Sequence, residues 1–190
     1  MSAEDFKTFL EFLRKIADAS YGSAGPGTLT HLTMELFKQQ ANASMTHVPY
    51  RGIAPAITDL VAGRTHAMFP GLAAALPQIR AGRIRALAVT GVARSPQIKD
   101  VPTLEELGFK GFDAMQWYGC VGPAGLPAEI VKQLNDTLGA VLKAPELKDK
   151  LAVEAVEPMP MTPQQFAQFI RRDIARWAAI AKERGIRLDS

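Results

Sequence analysis

Apolar residues recur at helical spacing from the start of the chain. Phe6, Phe9, Leu10, Leu13 and Ile16 share one face, which predicts a first helix over residues 3–17 with Ser2 as its N-cap. A short strand is expected over 19–23. The run opened by Thr28, Leu29 and Leu32 continues through Met34, Leu36 and Phe37 and predicts a helix to about residue 40. Residues 44–48 read as a strand, and Pro49-Tyr50-Arg51-Gly52 as a turn. A helix over 54–62 stops at Gly63. A short strand at 66–69 is broken by Pro70-Gly71, and a helix over 72–81 ends at Gly82. Residues 84–90 are the clearest strand. Ile84, Ala86, Leu87, Ala88 and Val89 make it apolar nearly throughout, as burial on both faces requires. Strand and helix alternate four times with short links, the signature of an open, mostly parallel α/β sheet.

The pattern changes after Gly91. Residues 95–102 read as a loop, 103–108 as helical turns closed by Gly108, and 114–121 as strand-like and aromatic-rich. The prolines at 123 and 127 make a hard break. A helix over 128–143 carries Ile130, Val131, Leu134, Leu138, Val141 and Leu142 on one side. The last helix starts with Thr162 as N-cap and Pro163 at its first position. Its stripe of Phe166, Phe169, Ile170, Ile174, Trp177 and Ile180 is wider than one small lobe needs. The expectation is that the chain self-associates through this face or that the helix is poorly ordered.

Composition narrows the class. The 190 residues are 47% hydrophobic and 22% charged, an ordinary globular balance. The net charge of +3 comes from 22 basic and 19 acidic residues spread along the chain. Without a basic block, no nucleic-acid partner is expected. Cys120 is the single cysteine, so no intrachain disulfide forms. No apolar run approaches the roughly 18 residues of a membrane span. The acidic opening Met1-Ser2-Ala3-Glu4-Asp5 leads into an amphipathic helix and does not read as a signal peptide.

The candidate chemistry centres on Tyr21-Gly22-Ser23-Ala24-Gly25-Pro26-Gly27-Thr28-Leu29-Thr30-His31. This is a strand end, a small-residue turn and a helix start. Such a turn exposes unpaired backbone N–H groups at the positive end of the helix dipole. It is an anion site that needs no charged side chain, and a carboxylate is the expected ligand. The alternative is a plain turn with Ser23 and Thr28 capping the helix. A nucleophile elbow needs glycine where Tyr21 stands, and no acid and histidine follow in a recognisable arrangement. A dinucleotide fingerprint fails because position 30 is Thr and no acid lies between Gln39 and Thr58. A P-loop fails for want of Gly-Lys-Ser/Thr.

His31, His47 and His66 do not fall at metal-ligand spacing, so neither a metal nor a cofactor is expected. His31 either helps seat a ligand or packs against the preceding strand, and His66 reads as structural. Ligands of open α/β sheets gather at the carboxyl ends of the strands. Three loops, 23–28, 49–53 and 69–72, therefore converge on one rim. The candidate ligand-binding residues are Ser23, Ala24, Gly25, Gly27, Thr28, His31, Tyr50, Gly52 and Pro70, and no residue is assigned a catalytic role. Arg51 is read as a solvated surface residue, Asp59 as solvated and away from the rim, and Trp117 and Tyr118 as core or hinge packing. Cys120 is read as a buried apolar residue.

Six motifs stand in order. They are Tyr-Gly-Ser-Ala-Gly-x-Gly-Thr-x-x-His-Leu at 21–32, His-Val-Pro-Tyr-Arg-Gly-x-Ala-Pro-Ala-x-Thr-Asp-Leu at 47–60 and Ala-Leu-Pro-Gln-Ile-Arg-Ala-Gly at 75–82. Arg-Ala-Leu-Ala-Val-Thr at 85–90, Asp-Val-Pro-Thr-x-x-Glu-x-Gly at 100–108 and Pro-Ala-Gly-Leu-Pro at 123–127 follow. Together they resemble the substrate-binding proteins of tripartite tricarboxylate transporters, the Bug family, over nearly the whole chain.

The resemblance implies a type II periplasmic-binding-protein fold. Two α/β lobes close over a small organic carboxylate and deliver it to membrane permease subunits. It implies that residues 1–122 form the second α/β lobe with its return strands, and that 123–190 form a C-terminal helical segment. Family members open with a signal peptide and a first lobe. This chain is expected to start at the helix before the second lobe, with the first lobe largely absent. Localisation is periplasmic by resemblance, while a truncated product without a signal peptide is expected to stay cytoplasmic. Many members carry Asp after the Met-Phe that stands here at 68–69. Pro70-Gly71 follows instead, which favours a ligand without an amino group. The alternative function is the effector-binding domain of a transcription regulator with the same fold.

Overall fold

The computed structural model describes residues 5–153 and 155–186. The chain divides into two compact units, Met1–Gln116 with Ala179–Ser190, and Trp117–Ala178.

The first unit holds α1 (Phe6–Lys15), β1 (Ser20–Ser23), α2 (Leu29–Ala41), β2 (Thr46–Pro49), α3 (Ile53–Val61) and α4 (Leu72–Arg80). The N-cap of α1 is Asp5, whose carboxylate accepts from the Thr8 amide at 2.7 Å while the Thr8 hydroxyl accepts from the Asp5 amide at 3.1 Å. This reciprocal pair satisfies two end donors and fixes the helix start. The expected cap Ser2 lies outside the described residues.

β1 and β2 pair in parallel, with Tyr21 opposite His47 and Ser23 opposite Pro49. On the other side of β1, Ala67 forms a parallel bridge to Tyr21, and the Gly22 amide donates to the Ala67 carbonyl at 3.0 Å. β1 is thus central, which is why Tyr21 and Ser23 are fully buried. Residues 84–90, expected as the clearest strand, form no strand. Their ladder reduces to the bridge between Val89 and Thr103. An apolar run extends the chain, but it needs a ladder partner to become a strand.

Beside the sheet, Phe6, Phe37, Phe69, Phe109 and Phe112 form an aromatic core with ring centroids 5.5–6.2 Å apart. Each buried ring contributes about 1.5–3 kcal/mol, with about 0.5–1.5 more per well-placed aromatic pair.

The second unit holds α5 (Ala128–Val141), α6 (Pro145–Val153) and most of α7 (Pro163–Glu183). The periodicity did not single out α6. At the start of α7 the Gln165 amide donates to Thr162 Oγ1 at 3.2 Å, and Gln165 Oε1 accepts from the Thr162 amide at 2.9 Å. Trp117 packs edge-on against Phe166 and Phe169 and donates from Nε1 to Asp173 at 2.8 Å. The expected strand over 114–121 is irregular backbone. Cys120 is exposed, not buried, because its segment has no sheet to join.

The stripe on α7 is covered unevenly. Ile174 is 63% exposed, Ile180 is buried, and Phe166 and Phe169 are half-covered by Trp117. The first unit runs to Gln116 and the second begins at Trp117, and the chain end from 179 belongs to the first unit. There Ile180 is buried and Arg184 pairs with Glu35.

Candidate functional site

Because the strands run parallel, the loops leaving their carboxyl ends share one edge. The Tyr50 amide donates to the Ser23 carbonyl at 3.1 Å and the Gly52 amide to the Ala24 carbonyl at 3.2 Å. These bonds tie the first two loops together. Gly25 (φ 133°) and Gly27 (φ 70°) hold backbone conformations that side chains disfavour. A Cβ on Gly25 would also lie 3.4 Å from the Tyr50 carbonyl oxygen.

The turn itself does not offer the unpaired amides expected of it. The Ala24 amide donates to Thr30 Oγ1 (2.9 Å), Gly25 to Ser23 Oγ (3.1 Å), Gly27 to His31 Nδ1 (3.0 Å) and Thr28 to the Gly25 carbonyl (3.3 Å). Thr28 stands at the N-cap position of α2 but makes no side-chain cap bond; its hydroxyl donates back to the Gly25 carbonyl at 2.7 Å. Short polar side chains at 23, 28, 30 and 31 fold the turn onto itself.

The donors lie one step further on. α2, α3 and α4 have Thr28, Gly52 and Gly71 as N-caps, and none makes a side-chain cap bond. The amides of Leu29 and Thr30, Ile53 and Ala54, and Leu72 and Ala73 therefore stand at helix starts where no intrahelical acceptor exists. α1 and α7 are side-chain capped, while α5 starts at Pro127 without a side-chain cap. Each uncapped start carries about half a positive charge.

The other candidates distribute around this edge. Ser23 and Gly25 are buried, while Ala24, Gly27, Thr28, Tyr50, Gly52 and Pro70 are half-buried. Arg51 is exposed. Asp59, expected to be solvated and uninvolved, accepts from the Tyr50 hydroxyl at 2.9 Å and from Arg64 at 2.8 Å. The Tyr50 hydroxyl, then Arg64, hold the Asp59 carboxyl below its usual range. Burial and then that carboxylate push the Tyr50 phenol up. His66 is structural in the plain sense, since its Nδ1 accepts from the Ser20 amide at 3.1 Å.

Behind the rim lies a polar stack that linear spacing hides. His47 stacks on Tyr21 (4.9 Å between ring centroids) and on His31 (3.9 Å). The Tyr21 hydroxyl donates to Glu35 at 2.6 Å, and Lys38 (2.6 Å) and Arg184 (2.9 Å) pair with the same carboxylate. Burial alone would raise Glu35, but the bonds from Lys38, Tyr21 and Arg184 pull it down to about 2. Burial, then the neighbouring His31, depresses His47 to about 4. Two signals were available in the sequence. His31, Glu35 and Lys38 fall on one helical face, and Tyr21 and His47 are register partners once β1 and β2 are paired.

His47 Nε2 also lies 2.6 Å from Ser23 Oγ, a serine–histidine pair that the 24-residue separation concealed. Ser23 has no exposed surface, and its hydroxyl also bonds Gly25. The hydroxyl is therefore enclosed and cannot reach an incoming substrate. An open cleft of about 550 Å³ is lined by His31, Glu35, Lys38, Glu183 and Arg184.

Residues 2–186 match the tripartite tricarboxylate transporter family receptor, TctC. The chain belongs to this receptor family. A UPF0065 protein encoded between tcbD and tcbE of Pseudomonas sp. strain P51 is 36% identical over 165 residues, covering 86% of this chain and 49% of that protein. BugT of Bordetella pertussis is 35% identical over 162 residues, covering 85% and 50%. Among solved structures, R. palustris Rpa4515 with adipate superposes with a TM-score of 0.85 at 36% identity, over 96% of this chain and 61% of that one. MatC from Rhodopseudomonas palustris with bound malate gives 0.80 at 28%, over 94% and 62%. This TctC chain spans about half the length of the curated relatives it matches. Its α/β fold is that of the Bug periplasmic binding proteins, the structure of BugD among them.

Proposed function

We propose that this chain captures a small organic carboxylate for a tripartite tricarboxylate-type transporter, and that the rim formed by residues 23–28, 50–53 and 70–73 is its carboxylate site. The observation that carries this reading is the convergence of three helix starts without side-chain caps on one edge of the sheet. A carboxylate placed there accepts from first-turn amides and meets three positive dipole ends. Two similar structures hold adipate and malate, small dicarboxylates of this chemical class. The role is binding without turnover. The handover partner is the membrane permease of the transporter, and the working compartment is the periplasm.

Ligand pockets generally hide about 70–90% of a ligand's surface. The candidate ligand-binding residues on the rim are themselves buried or half-buried, and the first unit by itself covers a ligand from one side. Calorimetry with adipate, malate and succinate is expected to give dissociation constants no tighter than about 100 μM, about −5.5 kcal/mol. Low-micromolar binding would contradict the one-sided site. Gly71→Asp supplies the missing cap of α4 from the protein's own carboxylate. Gly71 has an ordinary φ of −58°, and the nearest obstacle to a Cβ is the movable end of Gln116 at 3.1 Å. The variant is expected to fold at least as stably as the parent, with a gain of a few tenths of a kcal/mol, and to bind dicarboxylate at least tenfold more weakly. Unchanged affinity in a folded Gly71→Asp protein would remove α4 from the site.

A further inference from the structure

We propose that His31 holds the Gly27 end of the rim turn, and that protonating it opens that end and releases the carboxylate. The inference rests on the reading of the rim given above. Its geometry is a single bond whose polarity cannot be reversed. The Gly27 amide donates to His31 Nδ1 at 3.0 Å. A backbone N–H is only ever a donor, so Nδ1 must be an acceptor and the ring must be the neutral Nε2–H tautomer. Once protonated, Nδ1 carries a hydrogen of its own and faces the Gly27 hydrogen, so the two must part. Gly27 precedes Thr28, the N-cap of α2, so opening this turn displaces the first of the three helix starts.

His47 does not act in the same way. Its Nε2 meets the Ser23 hydroxyl at 2.6 Å. A hydroxyl both donates and accepts, so it turns to suit either protonation state of the ring.

The surroundings decide how readily His31 charges. His47 lies against its ring at 3.9 Å, and Tyr21 stacks on the far side of His47. On α2 itself, Glu35 favours the imidazolium and Lys38 opposes it. Glu35 is already held by Lys38, Tyr21 and Arg184, so its charge is largely spent elsewhere. Glu183 and Arg184 line the same cleft with opposite signs. Burial is the largest influence and lowers the His31 value from the usual one. The ring is therefore neutral near pH 7, and the turn closed, with opening below the ordinary histidine range.

The test uses the full chain and two variants. His31→Asn places an amide oxygen where Nδ1 stood and keeps the acceptor for Gly27, but it cannot titrate. His31→Leu removes the acceptor. Nitrogen–proton spectra from pH 7.5 to 4.5 are expected to show the Gly27 amide moving with the midpoint of the His31 ring in the parent protein. In His31→Asn that amide stays near its closed position. Adipate affinity, measured by calorimetry at both ends of this range, is expected to fall at least tenfold more in the parent than in His31→Asn. The ratio cancels the protonation of adipate itself. His31→Leu is expected to show the open-turn Gly27 shift already at pH 7.5; should it not fold, the Asn variant decides alone. A Gly27 amide indifferent to the His31 titration overturns the proposal, as does an identical affinity profile in His31→Asn. If the parent binds neither adipate, malate nor succinate at any pH while Gly27 follows His31, the positioning role stands and both the release step and the proposed function are overturned.

Discussion

Phe37 and Phe112, in the unit that carries the rim, are 1% and 0% exposed, whereas Ile130, Leu134, Leu138 and Val141 along α5 keep 42–49% of their surface in solvent. Phe37 lies within the apolar run of α2, and the four residues of α5 recur at helical spacing. Periodicity reports that a helix has an apolar face. It does not report whether anything covers that face. In the first unit the sheet and the aromatic cluster supply the cover. In the second, Trp117 covers part of α7 and the Asn135 side chain donates to the Met161 carbonyl at 2.9 Å, but no residue of α5 is buried. Stability is therefore concentrated where the rim is built.

The sharpest way to break this comparison is to delete apolar bulk in each unit. Phe37→Ala is expected to cost about 3–5 kcal/mol, the range for a buried aromatic. Leu138→Ala is expected to cost less than about 1 kcal/mol, as a substitution on an exposed face. Urea denaturation of both variants measures the difference. Equal losses would mean that α5 is buried as deeply as the core.

A somewhat smaller effect should come from acid. His47 is held at about 4, below the 6.5 of a free imidazole. The unfolded chain therefore takes up this proton first. The stabilisation is complete above about pH 6.5 and drains away as the pH falls toward 4, by up to about 3 kcal/mol. Glu35, held at about 2 against 4.5, has the same sign and acts between pH 4.5 and 2. Between pH 6.5 and 4.5 the loss belongs to the buried histidines of the first unit. Hydrogen exchange across that range is expected to accelerate in β1, β2 and α2 while α5 keeps its rate. His47→Gln, which retains a partner for Ser23 without titrating, should flatten the profile. A loss confined to α5 would contradict the placement.

Much of this organisation is legible in the amino-acid order. β1, β2, α2 to α5 and the Thr162-Pro163 start of α7 follow from periodicity and caps, and the three rim loops follow from strand–helix alternation. Residues 84–90 are not legible, because an apolar run does not say whether a ladder partner lies beside it. Cys120 misleads for the same reason. Its apolar neighbours suggest a core, but the segment joins no sheet. At the site, the location of the turn is readable from its glycines, while the fate of its amides is not. Ser23 with Gly25, Thr30 with Ala24 and His31 with Gly27 are local pairs, each decided by backbone geometry. The stack of Tyr21, His47 and His31 requires the register of β1 on β2 first.

The central claim is that uncapped helix starts hold a carboxylate at the rim. Amide shifts of the labelled chain under increasing adipate address it most directly. The expected result is that the largest shifts fall on Leu29, Thr30, Ile53, Ala54, Leu72 and Ala73, with smaller ones at Gly27 and Tyr50. Shifts centred instead on His31, Lys38 and Arg184 would place the anion in the cleft beside α2, and the rim assignment would be wrong.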